Sequence, residues 1–293
     1  MIRNDDVPGV LSLDAVKTYR YLRLSMIGLV VLLGASVGLE WWATGRRCLQ
    51  ESLSAYFFTP AQGVFVGSLV AIGVCLIVIK GNTEWEDLLL NIAGMLAPVV
   101  AFVPTPQPGM CRSVAEPMRD ASADVANNVG ALLIVGVVGM ALTIVIARRD
   151  RRAGTWNPES AIGVVVALAL LAVVGGGYLF ARDLFVANAH YVAAVTLFVC
   201  IIAVVILNAT RFGRMHASGP TARPADFANR YAVIAVLMVI APLGMLLWRQ
   251  IFGWDHAVLW IEATEIGLFA IFWLLQTVEL WDEGTAPAGP ISP

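Results

Sequence analysis

The sequence predicts an all-α fold, a polytopic bundle of about eight transmembrane helices with both termini in the cytoplasm. Three observations carry this reading. The first is composition: of 293 residues, 59% are hydrophobic and only 14% are charged, and the mean hydropathy is +0.78, well above the apolarity of a water-soluble domain. The second is that the apolar residues fall into blocks, about 24–42, 63–80, 87–104, 127–147, 160–181, 189–208, 230–248 and 257–279. Each block is long enough for a helix to cross a hydrocarbon core of about 30 Å, and none alternates in polarity like a barrel strand. The third is the placement of positive charge. Eight spans with a cytoplasmic N-terminus leave thirteen Lys and Arg in the inner segments and six in the outer ones, which satisfies the positive-inside rule.

Along the chain, the first block follows a polar segment of some two dozen residues and lacks a small-residue cleavage site before Glu40, so it reads as a retained span. Cys48 and Cys111 fall in the first and second outer loops, on the oxidising face. A Cys48–Cys111 disulfide follows, with two unpaired thiols as the alternative. Cys75 and Cys200 lie within spans two and six and read as small packing residues. In span two, Gly63, Gly67 and Ala71 recur every fourth residue and form a small face for close helix approach. Pro98 in span three and Pro242 in span seven remove helical hydrogen bonds and are expected to kink their helices.

The two prolines sit in similar contexts, Leu96-Ala97-Pro98-Val99 and Ile240-Ala241-Pro242-Leu243, which raises a parallel repeat of two four-span halves. The offsets of the neighbouring spans do not stay constant, which counts against it. Between the halves, the loop Arg148–Ser160 contains four arginines and suits contact with anionic headgroups. The loop is short, so residues 1–283 are read as one membrane domain. Gly175-Gly176-Gly177 in span five suggests a close crossing or a hinge, and the tail 284–293, rich in Gly, Pro and Ala, is expected to be disordered.

The last span carries the strongest functional lead. Glu262 and Glu265 lie within an otherwise apolar segment, where an acidic residue costs roughly 2.5–3.5 kcal/mol at the helix centre and normally faces protein or a wet cavity. Glu262, Glu265, Phe269, Phe272, Gln276 and Glu279 follow alternating steps of three and four, so they share one side of the helix. Since this span enters from outside, both carboxylates belong to the outer half of the bilayer. Glu40, Asp183, His190 and His256 map to the same side and, with Ser52, Ser54, Tyr56 and Arg182, are expected to line an outward-facing polar cavity. There the two carboxylates would share a proton or bind a cation. In the competing reading each Glu pairs with Arg182, Arg249 or a backbone donor and fixes packing only.

Enzyme chemistry has less support. His190, His256 and Glu262 could form a two-His, one-carboxylate metal site, though no spacing selects it. Intramembrane hydrolases of the alkaline-ceramidase and progestin-receptor type use a Ser, an Asp and three His around zinc. Only three histidines exist in this chain, and His216 falls in a cytoplasmic loop, so that set cannot assemble. P-loop, GxSxG, HExxH and dinucleotide-binding motifs are absent, no metal or other cofactor is expected, and the net charge of −2 suggests no nucleic-acid partner.

The blocks SLSAYFFTPAQGVFVG, LLNIAGMLAPVVAFVPT and LFAIFWLLQTVELW resemble those of uncharacterised multi-pass membrane proteins of high-GC Gram-positive bacteria. The resemblance implies a plasma-membrane location. It also implies that Ser52–Pro60 forms a re-entrant or interfacial piece, and it supplies no activity. The function expected is therefore transport or binding of a small molecule or lipid, with membrane lipid as the surrounding partner. An accessory or scaffold subunit and a membrane-embedded hydrolase are the alternatives.

Overall fold

The computed structural model describes residues 13–105, 121–153, 159–217 and 227–282. Eight α-helices follow in order: α1 (Leu13–Ala43), α2 (Gln62–Val78), α3 (Glu84–Phe102), α4 (Ala121–Ala153), α5 (Glu159–Phe180), α6 (Arg182–Met215), α7 (Arg230–Phe252) and α8 (Ala257–Glu279). A short 3₁₀ helix, Ser54–Phe58, lies between α1 and α2. Seven of the eight α-helices are long and apolar enough to cross a membrane, and α2, at 17 residues, is at the lower limit. The eight predicted spans are all present as helices.

Several helices outrun their apolar blocks. α1 begins eleven residues before the predicted 24, and α6 runs from Arg182 to Met215 where 189–208 was expected. Hydropathy stops at the first charge, but Lys, Arg and Glu are good helix formers, so the helix continues past the boundary. For the same reason α4 carries Arg148, Arg149, Arg151 and Arg152 on its last turns, and the expected loop Arg148–Ser160 is helical up to Ala153. Start signals also moved boundaries. Thr83 accepts a hydrogen bond from the Glu86 N–H at 3.2 Å and caps α3, and Thr83-x-x-Glu86 is the spacing of a capping box. Asn229 caps α7 by accepting from the N–H groups of Tyr231 and Ala232, while its amide donates to Ala209 O of α6 at 2.8 Å. Gly253 ends α7 in the left-handed region, with φ 68°.

The helices run alternately up and down. Six of them form a closed ring in the order α1, α2, α3, α6, α7, α8, and α4 with α5 packs as a peripheral pair against α3 and α6. One end of the bundle, termed here the N-terminal face, holds the start of α1, the α2–α3 turn, the end of α6, the start of α7 and the end of α8. The 3₁₀ helix lies at the opposite face. The main core fills the N-terminal half of the ring, where Met26, Leu76, Leu90, Val204, Met238 and Phe272 are buried.

The tightest crossing differs from the one expected. A Cβ on Gly63 or Gly67 would meet nothing within 4 Å, whereas one on Gly73 would lie 2.7 Å from Gly94 O, and one on Gly94 would lie 2.6 Å from Gly73 O. The close approach to α3 is thus made at Gly73, on a different side of α2 from Gly63 and Gly67. Pro98 contributes, because its missing N–H leaves the carbonyl of Gly94 without a helical donor, and that oxygen faces the Gly73 backbone, an arrangement suited to Cα–H···O contact. In α5 the helix continues through the three glycines. Gly177 faces the Phe185 ring and Gly175 approaches Leu133, which is the crossing and not a hinge.

The two Ala-Pro helices end in different surroundings. α3 is buried on both sides of Pro98. In α7 the buried residues are Tyr231, Ile234, Ala235 and Met238, all before Pro242. Cys75 and Cys200 are free. The predicted partner of Cys48, Cys111, lies outside the described residues, as does the tail 284–293.

Candidate functional site

The 3₁₀ helix is where the site begins. Tyr56 and Phe57 are buried within a cluster that includes Leu33 of α1, Phe65 of α2 and Leu259 of α8. A segment this short cannot satisfy its own first N–H groups, so other elements do. Glu262 Oε2 accepts from the Leu53 N–H at 2.6 Å, Leu259 N–H donates to Glu51 O at 2.9 Å, and Ser52 Oγ accepts from Ala55 N–H at 3.1 Å. Ser54 Oγ accepts from Thr105 N–H at 3.0 Å, which ties the segment to the chain beyond α3. The result is a plug across the ring, held to α8 by a carboxylate. Burial pushes the Tyr56 hydroxyl pKa above its ordinary value.

Beneath the plug lies a small cavity of about 60 Å³, lined by α1, α2, α3, α6 and α8. It has room for a few water-sized groups and is much smaller than a drug-sized ligand site. Its walls include Leu69, Ile72, Ala97, Leu197, Phe198 and Phe269, and its polar lining residues are Ser54, His190 and Glu262. This corrects the expected polar cavity. Asp183 is exposed on the first turn of α6, and His256 Nδ1, at the start of α8, donates to Gln50 O, 3.2 Å away. Glu40 is half-buried near the end of α1. None of these three lines the cavity. Burial selects what turns inward, and long polar residues at helix ends turn towards the boundary instead.

His190 is nearly fully buried, at 3% exposure. Its Nδ1 lies 2.8 Å from Val103 O and 3.1 Å from Val100 O. Both partners are acceptors, so Nδ1 carries the proton and Nε2 is the acceptor. The ring therefore satisfies carbonyls at the end of α3 and also lines the cavity.

The two glutamates are not hydrogen-bonded to each other. On the helical wheel, Glu262, Ile266 and Phe269 face the cavity, while Glu265 is turned by about 60° to the side shared with Leu268 and Phe272. Phe272 packs edge-on against Tyr231 of α7, so Glu265 faces the α7 side. It is 3% exposed, and neither carboxylate oxygen has a hydrogen-bond partner. Glu262 thus follows the reading in which a backbone donor holds the carboxylate, and Glu265 does not. The stripe expected on α8 does face the bundle, with Phe269, Phe272 and Gln276 buried. Among the described residues no group of three or more His, Cys, Asp or Glu side chains is arranged to hold a metal ion.

Sequence reasoning missed a second polar cluster, at the N-terminal face. Glu86 of α3 accepts from Asn82 N–H at 3.0 Å and from Asn208 Nδ2 of α6 at 2.9 Å. Asn208 Oδ1 accepts from Gln276 Nε2 of α8 at 2.7 Å. Arg23 of α1 is 2% exposed and senses the charge of Glu86. On the rim, Tyr231 donates to Glu279 at 2.6 Å, and Arg230 pairs with the same carboxylate. The available signal was depth: Arg23, Glu86, Asn208 and Gln276 each sit near the same end of a different apolar block. Paired and hydrogen-bonded in this way, the charges offset part of their desolvation and close that end of the ring.

No protein-family model, curated protein or solved structure matches the chain. The long apolar helices make it an integral membrane protein with several spans.

Proposed function

We propose that this protein binds a small apolar group, either a small molecule or the end of a longer one, in the cavity beneath the 3₁₀ plug. The observation that supports it is the lining itself: an apolar chamber bounded by five helices, with Glu262, His190 and Ser54 as its polar groups. An apolar wall gains from an apolar occupant, and a few polar groups orient it. With the orientation that the positive-inside bias favours, the N-terminal face lies in the cytoplasm and the plug in the outer half of the bilayer. The Cys48–Cys111 bridge would then form on the oxidising side, near the plug. The polar cluster at the N-terminal face closes the other end, which favours a binding protein over a through-channel.

The test is the organic material that co-purifies in mild detergent. Ala97→Phe with Ala194→Phe fills the cavity from α3 and α6, and the material retained by the native protein should fall about tenfold. Equal retention by the filled variant would refute the cavity as the binding site.

A further inference from the structure

The carboxyl of Glu265 is buried where its surroundings offer no donor, and neither of its oxygens has a hydrogen-bond partner. Tyr231 of α7 packs edge-on against Phe272 of α8, with ring centroids 5.8 Å apart, and Arg230 pairs with Glu279. α7 and α8 run antiparallel, so equal rises counted from these two contacts set Glu265 beside residues 238–244 of α7. Every side chain between Tyr231 and Trp248 is apolar, and the N–H groups of that stretch serve the helix. The one backbone group released there is the carbonyl of Met238, because Pro242 has no N–H to give it. That oxygen is an acceptor, and it opposes a negative charge.

The titratable groups of the other neighbours stand at other levels or face elsewhere. α1 has none between Arg23, buried at the N-terminal face, and Glu40 at its far end. On α6, which meets α8 only sparsely, His190 gives its Nδ1 proton to carbonyls of α3, and Tyr191 is exposed. Glu51 and Tyr56 of the plug segment meet α8 at Leu259, nearly two turns from Glu265. Glu262, one turn away, holds the Leu53 N–H and faces the cavity. A carboxylate only accepts, so in this setting it would be a bare buried charge, whereas the acid carries a donor of its own. We propose that Glu265 is a proton-binding site, held as the neutral acid within the span, and that the α7–α8 seam loosens when the proton leaves. After Pro242 no side chain of α7 is buried, so little packing resists that loosening. The site is separate from the cavity and does not depend on what fills it.

The experiment uses the full chain in lipid nanodiscs at neutral pH. The infrared difference between the native protein and Glu265→Gln is expected to show the carbonyl stretch of a protonated carboxyl, and Glu262→Gln should leave that contribution in place. Ionised-carboxylate stretches instead would overturn the site. A second arm needs no variant. Dicyclohexylcarbodiimide is an apolar reagent that adds to protonated carboxyls: the acid proton moves to one of its nitrogens and the carboxyl oxygen bonds to its central carbon. The acyl group then shifts to nitrogen, leaving the whole reagent on the side chain. Peptide mass analysis should find this adduct on Glu265 at roughly ten times the level on Glu279, which is ionised in its pair with Arg230. Labelling of Glu265 no greater than that of Glu279 would overturn the site whether or not the variant folds. Raising the pH should lower the thermal midpoint of the native chain, because the unfolded carboxyl gives up its proton more readily than the buried one. Glu265→Gln has no proton to lose and should fall less; equal falls would overturn the link between the proton and the seam.

Discussion

Glu262 and Glu265 look alike in the sequence and differ in the structure because three residues rotate a helix position by about 60°. Glu262 has a backbone donor and a place on the cavity wall. Glu265 has neither, and its two buried oxygens lack partners. A buried polar group without partners costs about 1–3 kcal/mol or more when charged, and replacing it by an apolar group of similar shape removes that cost. Glu265→Met is therefore expected to raise the thermal midpoint and leave retained ligand unchanged. Glu262→Ala is expected to lower the midpoint, because it strips the acceptor from the Leu53 N–H. A fall in midpoint for Glu265→Met would show that its carboxylate has a partner after all. The sequence made both residues conspicuous, since charges in an apolar run stand out. It could not separate them, because separation needed the position of the plug and of α7. Glu86 and Arg23 were passed over for the opposite reason: each lies at the edge of an apolar block, where a charge is ordinary, and only packing shows them to be buried.

At the scale of the element, the spans were legible because burial in lipid demands long apolar helices: all eight are present as helices, and seven are long and apolar enough to cross a membrane. Helix ends were less so, because hydropathy does not register helix propensity or caps, as Thr83 and the basic end of α4 illustrate. The crossing of α2 and α3 was misplaced for a related reason. Spacing singled out Gly63, Gly67 and Ala71, whereas the contact is made by Gly73 on another side of the helix, and only the partner decides which small residue is used. The reciprocal contacts of Gly73 and Gly94 give a direct test. Gly73→Ala and Gly94→Ala would each press a methyl group on a backbone carbonyl, and each should destabilise the protein by about 1–3 kcal/mol. Gly67→Ala has open space around it and should be tolerated. Unfolding in micelles distinguishes these; equal tolerance of all three would mean that α2 and α3 do not approach this closely.

For the whole molecule, the ring is closed at one end by a polar cluster and covered at the other by the 3₁₀ plug. Hydrogen bonds among Glu86, Asn208 and Gln276 join α3, α6 and α8 at the N-terminal face, where Arg23 of α1 is also buried. The 3₁₀ plug covers the opposite end, and the second half of α7 leaves a flank uncovered. A small cavity with an apolar wall and a polar roof is suited to holding a small apolar group. The most direct measurement is an experimental density map of the native protein in a lipid nanodisc. The account predicts one compact density in the cavity between Glu262, His190 and Phe269. A cavity collapsed by its own side chains, or one that is empty, would contradict it.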